Sequence, residues 1–171
     1  MRKKRRILGF SLLACVLLIG LAVLLIPRRP APEYAAASYE ELAEKVRGCC
    51  FLPEKEMLPD TGSHYLVYLK SRFSHRAVGY LLSYSPPDGC AERISITCKA
   101  LEERPEGYGS ITATEAWGEV GLAVKEDFLC FVLNGCRYDI HGDGASEGFP
   151  QTARALARSI IHAGGANGGD T

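Results

Sequence analysis

The chain has 171 residues, enough for one ordinary domain, with 47% hydrophobic and 23% charged side chains. Its net charge is zero, but Arg2, Lys3, Lys4, Arg5 and Arg6 precede residue 7, so the remainder carries fifteen basic side chains against twenty acidic ones. A mildly acidic body argues against nucleic acid as a partner, because that binding needs a basic surface to displace counterions; a single long apolar run excludes a polytopic membrane protein.

That run is residues 7–26, ILGFSLLACVLLIGLAVLLI, uncharged and with Ser11 as its one polar side chain. Twenty residues at about 1.5 Å each reach about 30 Å, the thickness of the hydrocarbon core. A globular core helix would keep a polar face, and this run has none. Five basic residues precede it and only Arg28 and Arg29 follow closely, so the positive-inside bias predicts residues 1–6 as a cytoplasmic tail and the rest outside the cell. Two alternatives compete: cleavage near the small residues of 31–37, which usually follows a shorter apolar region, and lipidation at Cys15 of Leu12-Leu13-Ala14-Cys15, which is usually followed by a polar tether.

Residues 27–37 (PRRPAPEYAAA) read as a Pro- and Ala-rich stalk. Ser38 and Glu41 have capping-box spacing, and Tyr39, Leu42, Ala43 and Val46 share one helical face ending at Gly48. Pro53 and Pro59 bracket an irregular stretch. Period-two alternation then predicts strands over 64–72 (Tyr65, Val67 and Leu69 on one side), 77–85 (Val78, Tyr80, Leu82, Tyr84) and 93–99 (Ile94, Ile96, Cys98). Weaker strands follow over 110–117 and 120–124.

Asn134-Gly135 between the apolar runs 128–133 and 136–141 predicts a two-residue type I′ hairpin. Its register opposes Leu133 to Cys136, Phe131 to Tyr138 and Leu129 to Ile140, all on one apolar face. A Gly/Asp loop over 141–148 leads to a last helix near Pro150, with Phe149, Ala153, Leu156, Ala157 and Ile160 in one stripe and Arg154 and Arg158 off it. Gly164-Gly165 ends that helix, and 164–171 reads as a frayed tail. The expected fold is α+β: a membrane helix, then a largely antiparallel sheet of about six or seven strands, with a short first helix and a C-terminal helix packed on it, over residues 38–163.

Three segments in order carry a resemblance: SYEELAEKVRGCCFLPEKEMLPD, VGYLLSYSPPDGCAERISITCKA, and GEVGLAVKEDFLCFVLNGCRYDIHGDGASEGFPQTARALARSI. Together they resemble an uncharacterised extracytoplasmic domain family of Gram-positive bacteria, over about residues 38–163. The resemblance implies a single-pass membrane protein, of a kind often attached to proteins similar to anti-sigma factors, and transfers no catalytic residue. With six residues before the membrane helix, only the sensing or interaction half of such a system is expected.

Six cysteines lie beyond the membrane run: Cys49, Cys50, Cys90, Cys98, Cys130 and Cys136. An even number in an exported domain suggests disulfides, against the plainer reading of small buried hydrophobes. The hairpin register sets Cys130 and Cys136 on opposite faces. Cys98 and Cys136 both fall on apolar strand faces and form the candidate disulfide. The cysteine spacings and scattered histidines match no zinc motif, and no nucleophile elbow, phosphate loop or HExxH is present. No catalytic, cofactor or metal residue is therefore assigned; Cys130 with His141 is a match of composition only. Asp139, His141 and Asp143 read as turn chemistry rather than ion ligands. Tyr65, Tyr68, Tyr80, Tyr84, Tyr108, Tyr138 and Trp117 read as cross-strand packing, with an aromatic binding face as the sharper alternative. The expected function is a membrane-anchored extracytoplasmic sensory or interaction module for an unknown protein or envelope partner. The alternatives are a carrier with an apolar cavity under the last helix and, last, a thiol hydrolase.

Overall fold

The computed structural model describes residues 33–59, 62–71, 74–103 and 111–165. The expected cytoplasmic tail, membrane run and most of the stalk, together with Tyr108, lie outside these residues. Among the described residues no helix is long and apolar enough to cross a membrane.

The described chain is α+β, with two α-helices and one eight-stranded antiparallel sheet. The strands are β1 (Glu33–Ala36), β2 (His64–Ser71), β3 (Ser74–Tyr84), β4 (Arg93–Ala100), β5 (Glu115–Trp117), β6 (Val120–Val124), β7 (Phe128–Leu133) and β8 (Cys136–Asp143); the helices are α1 (Tyr39–Val46) and α2 (Phe149–Ala163). The spatial order β1-β2-β3-β4-β8-β7-β6-β5 describes two four-stranded meanders joined where β4 pairs with β8. The eight strands exceed the expected six or seven partly because the stretch read as stalk supplies one. Glu33–Ala36 pairs with Tyr65–Tyr68 along the edge of the sheet, burying Ala36.

Period-two alternation across this sheet builds the core row by row. One row runs Val67, Tyr80, Cys98, Tyr138, Phe131, Leu122, and each member is at most 4% exposed. The next runs Leu82, Ile96, Ile140, Leu129, all fully buried. Each large aliphatic side chain so buried contributes roughly 1.5–3 kcal/mol of transfer free energy. Both helices cover this same face, α1 packing on β1–β3 and α2 on β7 and β8. Phe149, Ala153, Ala157, Ile160 and Ile161 of α2 are fully buried, so this side of the helix leaves no surface for a water molecule to touch.

The hairpin register is as expected: Leu133 opposes Cys136, Phe131 opposes Tyr138 and Leu129 opposes Ile140. The left-handed φ of Asn134 (48°) and Gly135 (74°) closes it. Two expectations need correction. Val78 does not point inward, because a register shift between Tyr68 and Leu69 gives Leu69 to Ala77 and Tyr68 to Gly79, leaving Val78 over. Ala77 is buried in its place. The supposed loop at 141–143 is strand, since β8 pairs with β4 as far as Arg93 opposite Asp143. At α1 the Ser38 side chain accepts the Glu41 N–H, as a capping box requires, but Glu41 returns its carboxylate to the Ala37 N–H and the Tyr34 hydroxyl, not to Ser38 itself. The helix is thereby tied to β1.

Candidate functional site: a buried thiol cluster beneath a basic cleft

Gly48 turns the chain out of α1 with a φ of 77°, and the amides of Cys49 and Cys50 both donate to the Val46 carbonyl. This tight exit throws Cys50 back over the sheet. There it meets Cys98 near the end of β4 and Cys136 at the start of β8, from sequence positions 48 and 86 residues away. The three sulfurs lie within 4.8 Å of one another and all three residues are buried. Cys50 Sγ is 4.0 Å from Cys136 Sγ, and Cys136 Sγ donates to the Cys49 carbonyl at 3.2 Å. Cys49 Sγ stands 3.3 Å from Cys50 Sγ and is the one half-buried thiol of the group.

Two tyrosines fix the loop above the cluster. Tyr80 and Tyr138 flank Cys98 in the same row of the sheet. Tyr80 Oη donates to the Phe51 carbonyl at 2.9 Å, and Tyr138 Oη accepts the Phe51 N–H at 2.8 Å. Phe131 stacks on Tyr138 with ring centroids 4.9 Å apart. Close approach of β3 to β4 here depends on Gly79, where a Cβ would fall 2.1 Å from the Cys98 carbonyl oxygen.

The thiols influence one another. Cys50 and Cys98 share one pocket with the Cys136 sulfur, which donates its proton to the Cys49 carbonyl. Contact with Cys136 pushes Cys50 up, and burial pushes Cys98 up. Burial also raises both tyrosine hydroxyls, so they stay neutral hydrogen-bonding groups.

The Cys49–Cys136 side of the cluster opens into a cleft of about 370 Å³. Lys45, Arg47, His75 and Arg76 line it, with Glu102 the one acidic residue among the described lining. The four basic residues are all exposed; Lys45 and Arg47 lie beside the Gly48 turn, and His75 and Arg76 near the start of β3.

The two cysteines expected to approach each other, Cys98 and Cys136, do so, as free thiols. Their register is diagonal: Cys98 faces Tyr138 and Cys136 faces Ala100. In an ordinary antiparallel pair such diagonal neighbours have Cα atoms about 7–8 Å apart, at or beyond the reach of a disulfide. Sequence reasoning missed Cys50, whose membership follows from the Val46–Gly48 exit and the tyrosine clamp, neither of which has a local spacing signature. Cys130 lies on the opposite face of the sheet, and Cys90 on the turn before β4; neither belongs to the three-sulfur group.

The remaining sites of interest are structural. Asp139, His141 and Asp143 alternate along one face of β8; Arg137 Nε donates to Asp139 Oδ1 at 2.8 Å, and His141 Nε2 is 3.3 Å from Asp143 Oδ1. Tyr80, Tyr84 and Tyr138 are core, and Lys99 lies 4.0 Å over the Tyr68 ring. Among the described residues Tyr34 is the one large hydrophobic side chain in the exposed class, at 39%. Comparison of the chain with family models, curated proteins and solved structures finds no match.

Proposed function

We propose that this chain is a single-pass membrane protein whose folded α+β domain acts outside the cell as a binding or interaction module for a protein or envelope partner. The uncharged run 7–26, with five basic residues before it and two after, supports the anchor and its orientation. This reading agrees with the extracytoplasmic family that the sequence resembles. The observation that carries the binding role is the cleft beside Cys49 and Cys136. Among the described residues, the exposed basic side chains of Lys45, Arg47, His75 and Arg76 line it beside the Glu102 carboxylate, an arrangement suited to an anionic group on the partner. The carrier alternative gains no support, because the buried side of α2 is closed against the sheet.

Two measurements test the reading. Protease added to intact protoplasts should digest the chain beyond residue 27; protection of that portion would place the domain inside and end the extracytoplasmic reading. Tagged full-length protein should then co-purify a partner from membranes cross-linked in place. The double charge reversal Lys45→Glu and Arg47→Glu should abolish that co-purification without loss of folded protein, whereas undiminished recovery of the same partner would remove the cleft from the interface.

A further inference from the structure

The thiol cluster has the composition and spacing of a metal site. Three ligands bound to one ion at the usual zinc–sulfur length of about 2.3 Å have sulfurs about 3.8 Å apart in tetrahedral geometry and about 4.0 Å apart in trigonal geometry. Cys50 and Cys136 already stand 4.0 Å apart, and Cys98 completes a triangle within 4.8 Å. A disulfide would need one pair to close to about 2.05 Å and would leave the third thiol unused. The diagonal register opposes that closure for Cys98 and Cys136.

The donor set is wholly soft: the group that approaches within ligand range contains three cysteines and no histidine, aspartate or glutamate. Thiolates in a dry site select d10 ions such as zinc or copper(I) over hard cations. The ligands are also held in place before any ion arrives. Cys98 and Cys136 sit on neighbouring strands, and Cys50 is fixed through the two hydrogen bonds that Tyr80 and Tyr138 make to the next residue. Cys49, half-buried and 3.3 Å from Cys50 in sulfur separation, lines the cleft and marks the route inward. An ion held by three thiolates leaves a net negative complex, and Lys45, Arg47, His75 and Arg76 surround the opening above it.

We propose that Cys50, Cys98 and Cys136 form a buried three-thiolate site for a thiophilic d10 cation, zinc or copper(I), that enters past Cys49. Loading exchanges three thiol protons for one metal ion, with no change of oxidation state: the three S–H bonds break, three metal–sulfur bonds form, and three protons leave to solvent. The site does not depend on the side of the membrane on which the domain stands, nor on the partner proposed above.

The test uses the full chain purified in mild detergent, reduced with a phosphine and desalted without oxygen. Zinc and, separately, copper(I) are titrated against a chromophoric chelator while proton release is followed in weak buffer. One of the two ions should bind at one per chain with about three protons released, and X-ray absorption should show a shell of sulfur neighbours. Cys50→Ala, on the loop and not in the sheet, should weaken that binding by at least about 100-fold while circular dichroism stays unchanged, a loss larger than that of a supporting residue. Cys90→Ser and Cys130→Ser should leave affinity and stoichiometry as they were. Equal binding by the parent and Cys50→Ala chains would overturn the proposal, as would failure of both ions to bind. So would a Cys50–Cys136 disulfide in chain alkylated before extraction, because the cluster would then be a covalent staple.

Discussion

Tyr80 and Tyr138 hold the two polar ends of one residue: Tyr80 Oη donates to the Phe51 carbonyl and Tyr138 Oη accepts the Phe51 amide, from positions on either side of Cys98. Both side chains are fully buried, and their hydroxyls end at the loop. Removing the Tyr138 oxygen leaves a part-buried N–H unpaired, which costs about 1–3 kcal/mol. Tyr138→Phe should therefore lower the urea midpoint, and Tyr80→Phe should do so to a similar extent. The two act on one residue, so the double substitution should cost less than the sum. Cys50, buried in the parent, should become reactive to a thiol reagent in both variants well below the unfolding midpoint. Unchanged Cys50 protection in the double variant would mean that the loop is held by something else.

Two glycines set how closely layers approach. At Gly79 an added Cβ would meet the backbone oxygen of Cys98 at 2.1 Å, and neither strand can yield without breaking its ladder. At Gly142 the added Cβ would meet the Phe149 ring at 2.6 Å, at the buried start of α2. Overpacking of this second kind costs roughly 1–3 kcal/mol as the side chain and helix shift. Gly142→Ala should fold with a lowered midpoint. Gly79→Ala should be worse, with loss of folded protein. Equal stability of the two variants would show that β3 and β4 can separate at Cys98 more easily than the paired register implies.

The parts of this fold that were legible in the sequence share one cause, a short-range signal that tertiary contacts do not override. The Asn134-Gly135 turn fixed the β7–β8 register because its two left-handed positions admit few residue types. The α2 stripe from Phe149 to Ile160 was legible because one helical face is wholly apolar. The edge strand at Glu33–Ala36 was not, since three of its four residues are exposed and an edge strand needs no apolar alternation. Val78 was misassigned because the bulge adds one residue beside Gly79, and a glycine within a strand marks such a break without saying which neighbour is left over. The candidate site was half legible. Strand parity alone put Cys98 and Cys136 on the same face, whereas Cys50 reaches them through a turn and two tyrosine hydroxyls, and the basic cleft gathers residues from separate elements.

The turn itself can be tested by a single added methyl group. Gly135 has open space around its Cβ position, so Gly135→Ala introduces no clash and acts only through the backbone. An L-residue held at a φ of 74° costs roughly 1–2 kcal/mol. The urea midpoint should fall by that free energy divided by the slope, with the slope itself unchanged because the folded core is untouched. Cys136, the next residue, should keep its protection from alkylation in the folded state. A changed slope or an exposed Cys136 would indicate that the hairpin has slipped its register.

The last prediction concerns the far edge of the sheet, where α2 holds β5 through charged side chains. Arg154 Nε donates to Glu115 Oε2 at 2.8 Å and its Nη2 to Oε1, and Arg158 lies 4.1 Å over the Trp117 ring. The Arg154 guanidinium holds the Glu115 carboxyl below the ordinary value of about 4.3. A depressed carboxylate contributes fully above its ordinary value, and its contribution is lost as pH falls through the depressed folded value. Trp117 is the chain's one tryptophan, so its fluorescence reports this edge alone. On acidification the Trp117 signal should change with a midpoint below about 4.3, and added salt should reduce its amplitude, since the pair is solvent-accessible and screened. Glu115→Gln should show the acid-form signal already at neutral pH and no transition in this window. An identical acid transition in Glu115→Gln would mean that another carboxylate governs the edge, and that the Arg154 pair does not hold β5 to the helix.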